Sequence, residues 1–134
     1  MAAHLRFLNP PALSKPPTYS HVVEVIGPGR LVYIAGQLGL NIEGKLVGPS
    51  DFRAQAKQTF ENLRNALAAV GAGFEHVVKL NNYLTDMAHL GAFREVRDGY
   101  INTSVPPAST TVQISALALK DALIEIEAVA VLPA

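Results

Sequence analysis

An α+β fold, a mixed sheet with two helices packed on one of its faces, is expected for this 134-residue chain on three grounds. Two segments repeat apolar residues in steps of three and four, six others are alternating or β-branched, and their order, β-β-β-α-β-α-β-β, does not alternate strictly. The length corresponds to a single domain, residues 1–134, able to take roughly two-thirds of its unfolded surface out of water.

The first run, "HLRFLN", alternates weakly and reads as a short edge strand before a proline-rich stretch. "HVVEVI" and "RLVYIAGQL", separated by "GPG", read as a hairpin between His21 and about Ala35. From Gly36 to Pro49 the glycines indicate a strand extension or loop, where backbone can approach a ligand closely. Phe52, Ala56, Phe60, Leu63, Leu67 and Val70 trace one side of a helix from Ser50 to Val70, started by Ser50 or Asp51 and ended by Gly71. "HVVKLNNYL" alternates, with Val78, Leu80, Asn82 and Leu84 on one side and Val77, Lys79, Asn81 and Tyr83 on the other. A second helix from about His89 to Ile101 gathers Leu90, Phe93, Val96 and Tyr100, and "NTSVPP" stops it. "STTVQISAL" and "LIEIEAVAVL" close the chain as strands; in the last, Ile124, Ile126, Ala128 and Ala130 alternate with Glu125, Glu127, Val129 and Val131.

With both helices on one face, the sheet's other face needs a cover, and Val129 and Val131 beside the carboxylates point to another copy of the chain. Composition agrees. Hydrophobic residues make up 49 % and charged residues only 16 %, against about 25 % charged in an average soluble domain. Eleven basic and eleven acidic residues cancel and no basic run forms, so nucleic acid is disfavoured as a partner. The absence of cysteine excludes disulfides and thiolate chemistry. Prolines 10, 11, 16 and 17 interrupt any secretory apolar core, and no run approaches the length of a membrane helix. The expected setting is cytoplasmic, with no membrane partner.

The four histidines lack metal-ligand spacing, and neither GxGxxG nor a phosphate-loop lysine occurs, so no metal and no organic cofactor is expected. Glu125 and Glu127, two apart in an apolar strand, point the same way. Either they line a partly dry cleft, where a carboxylate suits proton transfer, or they face solvent. Tyr19 in "PPTYSH" lines a cleft or covers a core edge.

Together, "PTYSHVVEV", "LVYIAGQLGL", "QAKQTFENLRNALAAVGAGFEHVVKLNNYLTDM", "PPASTTVQI" and "IEIEAVAV" resemble the Rid/YjgF family, also known as endoribonuclease L-PSP proteins, from about Tyr19 to Val131. The resemblance implies a chorismate-mutase-like fold and a barrel-like homotrimer with three clefts between subunits. It also implies hydrolysis of small enamines and imines, such as 2-aminoacrylate and its imine tautomer, to 2-keto acids and ammonia without a cofactor. Glu125 matches the glutamate that handles water and protons, Tyr19 the cleft tyrosine, and Gly36 the glycine whose backbone lies against the ligand.

Three positions depart from the family's pattern. Ala35 stands for a frequent serine, Arg94 for a frequent asparagine, and Ser109, in Pro107-Ala108-Ser109-Thr110, for the arginine that grips a substrate carboxylate. One neutral hydroxyl replaces two charge-assisted bonds, so capture of the simplest imino acids is expected to weaken unless Arg94, Arg97 or Lys79 takes over. No His/Asp partner identifies Ser109 as a nucleophile. The expected function is Rid-like hydrolysis of an enamine, imine or related small carbonyl compound. A trimer that binds such a metabolite without turnover is the alternative, and RNA cleavage or translation inhibition rests on family labels alone.

Overall fold

The computed structural model describes residues 4–134. Its order is β1 (His4–Leu8), β2 (Val22–Ile26), β3 (Gly29–Leu38), α1 (Phe52–Ala68), β4 (Val77–Leu84), α2 (Leu90–Asp98), β5 (Ala108–Gln113) and β6 (Ile124–Pro133), the order expected of the sequence. A four-stranded sheet runs β3-β6-β4-β5; β4 and β5 are parallel, and the other neighbours antiparallel. No helix among the described residues is long and apolar enough to cross a membrane.

The core forms because α1 and β6 obey their two periods. Phe60, Leu63 and Leu67 of α1 meet Ile124 and Ile126 of β6, Leu80 and Leu84 of β4 and Phe93 of α2, all almost wholly buried. Each such side chain stabilises the fold by about 1.5–3 kcal/mol relative to exposure. Asp51 caps α1 by accepting from the Ala54 N–H at 3.1 Å, and Gly71 (φ 76°) lets the chain turn just beyond the helix end. Tyr100 packs beyond α2, its ring 5.0 Å from that of Phe60. The opposite face of the sheet is open, leaving Tyr33 76 % and Leu31 57 % exposed.

Three expectations are corrected. The runs either side of "GPG" do not pair as a hairpin: β2 pairs with β1 as a separate ribbon, and β3 pairs with β6. Gly27 (φ 88°) and Pro28, which has no N–H, interrupt the ladder at the turn. Val77 joins the core instead of facing away from Leu80, because a register shift against β6 between Val77 and Lys79 inserts one residue. The second helix ends at Asp98 rather than Ile101, and a 3-10 turn over Met87–His89 precedes it.

Gly39 is where loop and helix touch. A Cβ there would lie 2.9 Å from the Gln55 carbonyl oxygen and 3.0 Å from the Gln55 Cα, both backbone atoms of α1 that cannot step aside. Gly39→Ala is therefore expected to destabilise the protein by about 1–3 kcal/mol in thermal denaturation; an unchanged melting temperature would contradict this packing.

Candidate active site

Between α2 and the β5 edge lies a cavity of about 200 Å³ lined by Tyr19, Arg94, Arg97, Ser109 and Thr111, with Thr18, Met87 and Leu90 completing the wall. Tyr19 reaches this place because buried Ser20 ties its segment to the entrance of β5: its Oγ donates to the Pro106 carbonyl at 2.6 Å and its N–H to the Pro107 carbonyl at 3.3 Å. Ser109 and Thr111 share the helix-side face of β5 by alternation. The buried Asn82 Nδ2 donates to both hydroxyls, at 2.9 and 3.2 Å. Arg97 is 4 % exposed. Its Nε and Nη2 both donate to Asp98 Oδ1, at 3.0 and 2.8 Å.

On the open face, β3 bulges. Ala35 and Gly36 stand between the pairs Ile34–Ala128 and Gln37–Ile126, so two residues oppose the single Glu127. Half-buried Glu125 folds its carboxylate against this bulge: a Cβ on Gly36 would fall 2.5 Å from Glu125 Oε2. Beside it, Glu127 Oε1 accepts from Tyr83 Oη at 2.7 Å and from Asn81 Nδ2 at 3.2 Å. That bond to Glu127, then burial and the two carboxylate charges, raises the Tyr83 pKa, so the phenol stays a donor at neutral pH. Only the mobile end of Glu125 obstructs a methyl group at position 36. Gly36→Ala is thus expected to keep the wild-type melting temperature while displacing that carboxylate from the bulge; a crystal structure of the variant with Glu125 unmoved would contradict this contact.

The sequence model of the endoribonuclease L-PSP family matches residues 12–132. The chain belongs to this family, the Rid/YjgF proteins. It is 39 % identical over 113 residues to Protein DfrA of Myxococcus xanthus, covering 84 % of each chain. To the 2-iminobutanoate/2-iminopropanoate deaminase of Mus musculus it is 37 % identical over 113 residues, 84 % of this chain and 80 % of that one. Among solved structures, the Rid-family protein YyfB of Yersinia pestis superposes with a TM-score of 0.80 at 36 % identity, over 94 % of this chain and 97 % of that one.

Within this Rid chain the residues singled out from sequence fall into two places. Tyr19, Arg94, Arg97 and Ser109 share the helix-side cavity, whereas Ala35, Gly36 and Glu125 share the open face. Glu125 pairs across the ladder with Tyr83, and Ser109 bonds the neighbouring Asn82, so the two side chains project from opposite faces of the sheet. Lys79 belongs to the open face, where its Nζ donates to Thr110 Oγ1 at 2.8 Å. Sequence reasoning missed Thr111, which β-alternation from Ser109 would have found. It also missed the partnership of Tyr83 with Glu127, which depends on strand register. The Rid signature "QAKQTFEN" is explained by hydrogen bonding: Asn62 Nδ2 donates to the Leu38 and Leu40 carbonyls, both at 2.9 Å, and Gln55 is buried with every polar atom engaged.

Proposed function

We propose that this protein is a Rid-type hydrolase of small enamines and imines, a single-domain cytoplasmic homotrimer whose site forms where the open face of one protomer meets the helix-side cavity of the next. The observation that carries the reading is the Glu125 carboxylate folded over the Gly36 bulge, a proton acceptor beside exposed backbone. Its separation from Tyr19 and Ser109 within one chain is what a site divided between subunits requires.

In the reaction, a protonated imine carbon is already electrophilic. Glu125 takes a proton from water as the water oxygen bonds to that carbon, giving a carbinolamine. It returns the proton to nitrogen, the C–N bond breaks with its electron pair going to nitrogen, and the carboxylate takes the hydroxyl proton as the carbonyl forms and ammonia leaves; passing that proton to ammonia gives ammonium and restores Glu125. Atoms and charge balance as protonated imine plus water to ketone plus ammonium, and no redox step or cofactor enters. Ordering water and substrate at fixed distance supplies the rest of the acceleration.

The test generates 2-iminopropanoate and 2-iminobutanoate in situ and follows their decay with and without protein. Faster decay with the protein is expected; equal decay across a panel of short and long imino acids would remove the enzyme reading. A second reading, binding without turnover, is favoured by Ala35, which brings no hydroxyl to the bulge. Saturable calorimetric binding of a 2-keto acid by a protein that turns over no imine would select it.

A further inference from the structure

Every polar side chain that lines the cavity beside α2 can donate a hydrogen bond. Arg94 and Arg97 stand three residues apart, one turn of helix, and so face the same space. Opposite them, the hydroxyls of Ser109 and Thr111 accept from Asn82 Nδ2, which leaves their own hydrogens for the cavity. The remaining polar side chains of the wall are the hydroxyls of Thr18 and Tyr19, and no carboxylate lines it. Asp98 is occupied by Arg97 and borders the adjoining hollow instead. No ion pair among the described residues engages Arg94, whereas Arg6, Arg53, Arg64 and Arg97 each have an acidic partner.

We propose that Arg94 binds the carboxylate of a small 2-imino or 2-keto acid in this cavity, with Arg97 as a fixed cationic wall behind it. The anion subsite has thereby moved from β5, where Ser109 now stands, to α2. Three features carry this. Arg94 has an uncommitted fork of donors able to grip two carboxylate oxygens. Arg97 is immobilised, its Cζ 5.7 Å over the Phe93 ring and its Nε and Nη2 spent on Asp98, so it adds field rather than a flexible grip. A volume of about 200 Å³ admits a short acid. Lys79 does not line this cavity, and its Nζ donates to Thr110 Oγ1 at 2.8 Å.

The proposal rests on the Rid-hydrolase reading for the identity of the acid, but binding and turnover are measured apart. Binding of 2-oxobutanoate and of its neutral amide is followed by calorimetry for the wild type, Arg94→Ala, Arg94→Lys, and Ser109→Arg in the Arg94→Ala background; decay of 2-iminobutanoate is followed for each. Arg94 is exposed, so its replacement leaves the core intact. The expected result is a roughly 10- to 100-fold loss of affinity for the acid in Arg94→Ala. Arg94→Lys should recover part of it and the added arginine at position 109 most of it, with binding of the amide unchanged; for imine turnover KM should rise while kcat holds. Equal affinity for the acid in wild type and Arg94→Ala, or no binding of the acid by the wild type, overturns the proposal even if imine is hydrolysed. Arg94-dependent binding of the acid without any hydrolysis upholds it and removes the hydrolase reading instead.

Discussion

Glu125→Gln is expected to lower kcat for imine hydrolysis by about 10²- to 10⁴-fold, the range that a positioned general acid–base group supplies. The substitution keeps the shape of the side chain and removes its capacity to take a proton from water. No donor among the described residues hydrogen-bonds the Glu125 carboxylate, so the amide strands no partner and the melting temperature should hold. Glu127 provides the internal comparison. It already accepts from Tyr83 and Asn81, and Glu127→Gln should disturb that local network while leaving turnover within about tenfold of wild type. Because Glu125 acts on water and does not grip the substrate carboxylate, KM for an imino acid should change little in Glu125→Gln. The measurement is the initial rate of in situ imine decay at saturating substrate. A Glu125→Gln enzyme working at half the wild-type rate would eliminate this residue as the proton carrier.

What could be read from sequence divides along the line between local and long-range forces. The helix expected over Ser50–Val70 is observed over Phe52–Ala68, because a cap, an apolar stripe and a terminating glycine all act within a few residues. The alternation of β6 was equally legible: Ile124, Ile126, Ala128 and Ala130 are buried and the carboxylates lie on the other side. Strand partners were not. Neighbouring runs around "GPG" invite a hairpin, yet β3 finds its ladder on β6, about a hundred residues away, where the apolar sides match. Of the site, residue types and the direction of Glu125 were accessible, but not its separation from Ser109. That separation follows from the registers of two ladders, β4 with β5 and β4 with β6, each set by contacts remote in sequence. Burial of Arg97 was hidden for the same reason, since a charged helix residue ordinarily faces solvent.

Gln55→Leu should be the most damaging substitution for stability, costing about 3–5 kcal/mol. Gln55 is fully buried. Its Nε2 donates to the carbonyls of Gly48 at 3.0 Å and Asp121 at 3.1 Å and, more weakly, of Pro49 at 3.4 Å, while its Oε1 accepts from the Leu123 N–H at 2.8 Å. One side chain thus fastens the start of α1 to the loop before it and to the segment that feeds β6. Asp121 sits there at φ 69°, a conformation unfavourable for a residue with a side chain, so the tether also holds strained backbone. Leucine of similar size fills the space but leaves those backbone groups without a partner, and each buried orphan costs about 1–3 kcal/mol. Against a total stability of about 5–15 kcal/mol, the melting temperature should fall by roughly 10–20 °C at fixed protein concentration. Lys57→Ala, an exposed change on the same helix, should stay within about 0.5 kcal/mol. A Gln55→Leu protein melting within two or three degrees of wild type would mean that water replaces the amide there and that the tether is dispensable. The larger loss would extend to activity, because the Asp121–Leu123 segment leads directly into the strand that carries Glu125.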